Sequence, residues 1–203
     1  SPALLESKGR HNARTYLVPN AVDYEAFQRA LQEPAPLPSE FGLFRRPIIG
    51  YVGAINDKID LGLLSAVARR YPRATLALVG PVNLHTAEAR EELAELQSQM
   101  NVHFLGRVSV ASVPRYMMHC DVALLPYRRN EWTRNISSLK LLEYLALGLP
   151  VVAMDLPMVA GLSGVVHVAA DAGAFIEAVG RALAEQAPEL REARRAVAAT
   201  NTW

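Results

Sequence analysis

The stretch from Ser137 to Asp155, SSLKLLEYLALGLPVVAMD, decides how this chain reads. Ser137 or Ser138 is a natural helix N-cap, Gly148 is a natural stop, and Pro150 follows it, so the spacing predicts a helix over about residues 138 to 147. That helix is apolar nearly all round, which marks it as buried. Directly after the stop, Pro150 to Met154 (PVVAM) is a short apolar run without alternation, the pattern of a strand covered on both faces.

The same succession of strand and helix extends outward in both directions. Upstream lie Pro47–Val52 (PIIGYV), Thr75–Val79 (TLALV), Val102–Leu105 (VHFL) and Asp121–Leu125 (DVALL), and downstream lies Val165–Val168 (VVHV). Between the runs, apolar residues recur at three- and four-residue spacing: Leu61, Leu64, Val67 and Ala68; Leu93 and Leu96; Phe175, Ala178, Val179 and Leu183. Helix starts are marked by Asp57 or Asp60, by Thr86, by Ser112 ahead of Pro114, and by Asp171. Strands alternating with crossover helices predict an α/β fold with a doubly wound parallel sheet. Residues 1–46, polar at first and then carrying Pro34, Pro36 and Pro38, read as a lead-in with an extended connection. Residues 47–187 form the domain, and 188–203 a C-terminal Arg/Glu-rich helix, truncated.

Composition narrows the function. With 51% hydrophobic and 20% charged residues, the chain is globular. Its 21 Lys plus Arg against 20 Asp plus Glu leave a net charge of +1, which gives no basic field for nucleic acid. Any anion must therefore be held locally. The single cysteine, Cys120, fits a reducing, cytoplasmic setting. Two hundred and three residues that begin Ser-Pro and end Asn-Thr-Trp are expected to be a fragment of something longer.

In open α/β sheets ligands sit beyond the carboxyl ends of the strands. The turn Gly50-Tyr51-Val52-Gly53-Ala54 would let backbone N–H groups approach a phosphate, although a plain tight turn reads equally well. Its spacing matches neither the dinucleotide nor the P-loop fingerprint. Lys140 is more telling, because a lysine in the first helical turn opposes the positive end of the helix dipole. A bound phosphate would resolve that conflict by taking the helix N–H groups, the serine hydroxyls and the ammonium together. Glu143, one turn on, would then accept hydrogen bonds from sugar hydroxyls; the plainer alternative is a Lys140–Glu143 ion pair on a solvated face. No Asp-x-Asp and no metal-ligand cluster occurs in the sequence, so neither metal nor cofactor is expected. His85, His103, His119 and His167 lack a carboxylate partner at motif spacing and read as structural or surface residues, and Arg128, Arg129 and Arg134 around Trp132 as a basic loop, solvated or in contact with a ligand.

Together, YLVPNAVDYEAF (Tyr16–Phe27), IIGYVGAI (Ile48–Ile55), VHFLGRV (Val102–Val108), CDVALLPY (Cys120–Tyr127) and SSLKLLEYLALGLPVVAMD resemble, in order, landmarks of the C-terminal, donor-binding half of a GT-B glycosyltransferase of the group 1, family four-like kind. The resemblance covers nearly the whole chain. It implies a nucleotide-diphosphate sugar as co-substrate, with the acceptor site and catalytic base in an N-terminal domain of the same parent chain; any membrane association would be peripheral and made by that half. It implies that Glu143 meets the ribose hydroxyls, that Ser137, Ser138, Leu139 and Lys140 hold the diphosphate with Lys140 stabilising the leaving group, that Arg107 and Val108 lie near the nucleobase, that Gly53 faces the phosphates, and that Tyr127 lines the donor pocket or merely closes its strand. Two departures stand out. The first glutamate of the family's E-x7-E motif falls on Asn135, and the basic residue after the glycine turn is Ala54. Lys58 is offset from the place of a family lysine and receives no role. The reading is a metal-independent sugar transfer in polysaccharide biosynthesis; a non-catalytic nucleotide-sugar-binding module and a sugar-nucleotide epimerase are the alternatives.

Overall fold

The computed structural model describes residues 1–33 and 36–203. The helices are α1 (Pro2–Gly9), α2 (Tyr24–Gln32), α3 (Leu61–Arg70), α4 (Ala87–Gln97), α5 (Val113–Met117), α6 (Glu131–Arg134), α7 (Leu139–Ala146), α8 (Ala172–Leu183) and α9 (Pro188–Ala199). The strands are β1 (Ile48–Val52), β2 (Ile55–Asn56), β3 (Thr75–Val79), β4 (Val82–Asn83), β5 (Val102–Gly106), β6 (Val122–Leu125), β7 (Val151–Met154) and β8 (His167–Ala169). Six of these form one parallel sheet in the order β5-β3-β1-β6-β7-β8. The register places Ile49 of β1 opposite Leu76 of β3 and Val122 of β6. β1, β3, β6 and β7 are buried along their whole length, as their unbroken apolar runs require.

The helices α3, α4 and α8 pack together as one flanking layer, and α2, α5, α7 and α9 as the other. Their caps follow the sequence. Asp60, rather than Asp57, accepts from the Leu63 amide at 2.8 Å, while Thr86 and Asp171 cap α4 and α8. Each of these side chains takes one of the amides that a helix start leaves without a partner. At the end of α7, Gly148 (φ +74°) donates to the Leu145 carbonyl and Leu149 to the Tyr144 carbonyl, the paired bonds of a Schellman stop. The helix α7 departs from its expected all-round burial only in its first two turns, where Leu139 and Lys140 lie towards the surface and Leu142 and Glu143 are half-buried.

Residues before β1 contribute more structure than an extended lead-in. Asp23 caps α2 through the Ala26 amide, α2 buries Phe27, and Gln28 donates to the Ala146 carbonyl of α7. Pro34 of the expected extended run lies outside the described residues; Pro36–Pro38 is non-helical and leads into a 3-10 turn at Ser39–Leu43. The short pair β2–β4, which no apolar run announced, prolongs β1 and β3 beyond the sheet. Among the described residues no helix is long and apolar enough to cross a membrane.

Candidate functional site

The strand β1 is where the chain reverses: β3 and β5 follow on one side, then β6, β7 and β8 on the other. Such a switch point opens a crevice outside the carboxyl ends of β1 and β6. The turn after β1 passes so close to the turn after β3 that a Cβ at Gly80 would lie 2.1 Å from the Gly53 carbonyl oxygen. Both glycines take positive φ, +153° at Gly53 and +145° at Gly80, and the Gly53 amide donates to the Val79 carbonyl at 2.7 Å. A Cβ on Gly53 would fall 1.6 Å from Lys140 Cε and 2.6 Å from its Nζ. The Lys140 side chain therefore lies across the bare face of Gly53, joining two features that the sequence kept apart.

A second cation enters from the loop after β2. Antiparallel pairing of Ile59 with Tyr127, and hydrogen bonds from Arg128 N to Lys58 O and from Asp60 N to Pro126 O, both 2.8 Å, stitch that loop to the end of β6. Lys58 Nζ stands 5.1 Å from the centre of the Tyr127 ring. Burial, and then the charge of Lys140, pushes the Lys58 ammonium below its usual pKa, since both disfavour the charged form. Among the described residues neither lysine has a carboxylate within 4.0 Å. The alternative of a Lys140–Glu143 ion pair is thus not formed. Glu143 is half-buried; burial pushes its carboxyl up, and Lys140 opposes that only in part.

The start of α7 is arranged unlike an ordinary cap. Ser138 occupies the N-cap position in extended backbone, yet its hydroxyl makes no capping bond and instead sits 3.3 Å from the Tyr127 hydroxyl. Ser137 is exposed, and its carbonyl accepts from Asn20 at 2.6 Å, which fixes the approach to the helix from the N-terminal segment. Further along α7, the fully buried Tyr144 accepts at its hydroxyl from the Val52 amide at 2.8 Å. That N–H lies just past the last β1–β6 pair. A buried amide needs a partner, and in taking that part the tyrosine fixes α7 against the strand that leads into Gly53.

The remaining expected residues divide. Tyr127, 1% exposed, closes the end of β6 and serves as the platform under Lys58. Asn135 ends α6 and turns its amide back onto the Glu131 carbonyl at 3.0 Å. Arg107, exposed, and Val108, half-buried, follow β5, which stands two strands away from β1 at the edge of the sheet. In the basic loop, Arg128 is spent on Glu92 and Arg129 on the Ala170 carbonyl at 2.7 Å, so most of that charge is structural. Two histidines gain carboxylate partners that spacing along the chain did not show: His85 with Asp57 at 2.8 Å and His167 with Glu185 at 3.0 Å. Lys58, which received no role from the sequence, is brought beside the Gly53 turn from the loop after β2, two residues before the Asp60 cap. Among the described residues no group of three His, Cys, Asp or Glu side chains comes together as a metal site.

Comparison with known proteins agrees with the fold. Residues 46–185 match the family described as "Glycosyl transferases group 1". TuaH of Bacillus subtilis (strain 168), named provisionally as a teichuronic acid biosynthesis glycosyltransferase, is 31% identical over 202 residues, covering 96% of this chain and 49% of its own. Anabaena HepE in complex with UDP-glucose superposes with a TM-score of 0.73 at 17% identity, over 99% of this chain and 58% of that one. Sucrose-phosphate synthase from Thermosynechococcus elongatus gives a TM-score of 0.71 at 22% identity, over 100% of this chain and 53% of that one. The chain thus spans about half the length of the proteins it matches. With this fold, this order of landmarks and this family match, the chain belongs to the group 1 glycosyltransferases, as a GT-B C-terminal domain.

Proposed function

We propose that the crevice at the carboxyl ends of β1 and β6 holds the nucleotide-diphosphate sugar of a glycosyl transfer. The observation that carries this is the pair Lys58 and Lys140, two cations beside Gly53 and the α7 N-terminus with no carboxylate within 4.0 Å among the described residues. Two like charges held together in a half-buried place are costly until an anion joins them. A diphosphate supplies that anion and takes the free N–H groups of Leu139 and Lys140. The Glu143 carboxylate, one turn along, accepts from the ribose hydroxyls, and Arg107 and Val108 border the nucleobase.

As the bond from the anomeric carbon to the diphosphate breaks, negative charge grows on the leaving oxygen. The lysine ammoniums and the helix amides at the start of α7 stabilise that charge. These cations do the neutralising work that a metal does elsewhere, so the transfer is metal-independent. The site for the attacking hydroxyl of the acceptor and the catalytic base lie in an N-terminal domain of the parent chain. The lone buried Cys120 suits a cytoplasmic setting. A second reading, a non-catalytic binding module, rests on Asn135, whose amide stands where the family carries its first glutamate.

Calorimetric titration with UDP, GDP, ADP and TDP tests the site. At least one should bind, and Glu143→Ala should weaken it by about 1.5–3 kcal/mol, the worth of a hydrogen bond to a charged group. Unchanged affinity in both Glu143→Ala and Lys140→Ala overturns the assignment.

A further inference from the structure

Next to Lys58 in the chain, the ends of β2 and β4, the loops after them and α6 border an open cavity of about 610 Å³. That size falls within the roughly 300–1,000 Å³ of small-molecule sites. Its walls are Asn56, Asp57, Asn83, His85 and the indole of Trp132. Trp132 is 52% exposed, an unusual place for the largest side chain. It is not loosely held. The helix α6 that carries it is closed by a reciprocal capping box between Asn130 and Thr133, and Thr133 is fully buried.

The polar groups opposite are preset and partly free. Asp57 accepts from the His85 backbone at 3.1 Å and faces its ring Nδ1 at 2.8 Å, which orients the imidazole and leaves Nε2 outward. Asn56 Oδ1 accepts from the Lys58 amide at 3.4 Å, leaving its NH2 to donate. Asn83 is exposed and makes no side-chain hydrogen bond among the described residues. No lysine or arginine lines this cavity among the described residues, so its chemistry does not suit a phosphate or a nucleic-acid strand. A flat apolar face set against amides, a carboxylate and an imidazole suits an uncharged polyhydroxylated ring: C–H groups pack on the indole while hydroxyls take the polar edge.

We infer that this cavity binds a neutral pyranose unit of a glycan acceptor, steering the acceptor from the donor half of the enzyme. The inference rests on the donor reading above, because consecutive residues, Asp57 and Lys58, serve the two sites and place them side by side.

The test uses the full 203-residue chain carrying Trp203→Phe, so that Trp132 is the only indole. Methyl glycosides of glucose, galactose, N-acetylglucosamine and N-acetylgalactosamine are probed by saturation-transfer NMR and tryptophan fluorescence, with and without saturating UDP. At least one should receive saturation and shift the Trp132 emission, with UDP bound or absent. Trp132→Ala should weaken that glycoside about tenfold, Trp132→Phe should keep most of the affinity, and Asn83→Ala should weaken it several-fold, all with unchanged melting temperature. No binding by any glycoside, equal binding by Trp132→Ala, or displacement by UDP overturns the subsite. UDP that binds normally while every glycoside fails overturns the subsite alone. Failure of UDP, GDP, ADP and TDP alike to bind overturns the donor reading, and with it the acceptor role, whatever the glycosides do.

Discussion

Gly53 shows how narrow the tolerance of the site is. Its φ of +153° and the Lys140 Cε atom 1.6 Å from a would-be Cβ leave no room for a side chain. Gly53→Ala should therefore displace Lys140 and weaken nucleotide binding as Lys140→Ala is expected to, while costing about 1–3 kcal/mol of stability through backbone strain. Calorimetry and urea unfolding of the same variant separate the two losses. Glu143 gives a pH test. Burial holds its carboxyl above the usual range, and the ionised form is the one that accepts from ribose with both oxygens. Affinity should fall with pH from above the usual carboxylate value, as the carboxylate takes up its proton. In Glu143→Gln the nucleotide's own titration, at about pH 6, should be all that remains. The sign for folding is opposite: because the folded pKa is raised, ionising Glu143 destabilises the ligand-free chain as pH rises. Glu143→Gln should then melt higher than the parent at neutral pH, and an equal or lower melting temperature would refute the burial argument.

The element that organises the site is α7, which shares a core with β1 and is hydrogen-bonded to it through the buried Tyr144 hydroxyl. Tyr144→Phe keeps the ring but leaves the Val52 amide without an acceptor, at a cost of about 1–3 kcal/mol. Urea unfolding should show that loss, and nucleotide affinity should fall with it because Lys140 sits on the loosened helix. This element was largely legible in the sequence. Ser138, Gly148 and Pro150 bound α7 within a residue, and Lys140's clash with the dipole singled it out as a candidate. The strands were legible for the same reason, since burial on both faces leaves an unmistakable apolar run. Lys58 and the His85–Asp57 pair were not, because their meaning depends on which loops the sheet order brings together. Nor was the Tyr144 hydroxyl, since an aromatic in an apolar helix reads simply as core. The helix α2 was hidden by its surroundings: polar residues and nearby prolines masked a segment whose one buried member is Phe27.

At the scale of the whole molecule, α9 is fastened by one buried charged group. Arg194, 1% exposed, makes paired hydrogen bonds to Glu185 at 2.6 and 2.7 Å and a third to the Val165 carbonyl. Burial alone would raise the Glu185 carboxyl; the bonds from Arg194 and His167 outweigh it and hold the carboxyl below the usual range. The stability this provides is present above the ordinary carboxylate pKa and is lost as pH falls through the lowered one. Glu185→Ala would strand Arg194 without a partner and should cost about 3–5 kcal/mol in urea unfolding at neutral pH. The α9 helix also brings the far end of the chain home. The Val22 amide donates to the Asn201 carbonyl, and Thr202 Oγ1 donates to the Val22 carbonyl, each at 2.9 Å, so positions 180 residues apart are clasped. Mechanically, that clasp is a short circuit. Tension applied between residues 22 and 202 would be borne first by these two hydrogen bonds and not by the sheet, whereas a pull upstream of Val22 would also reach the start of α7 through the Asn20–Ser137 bond.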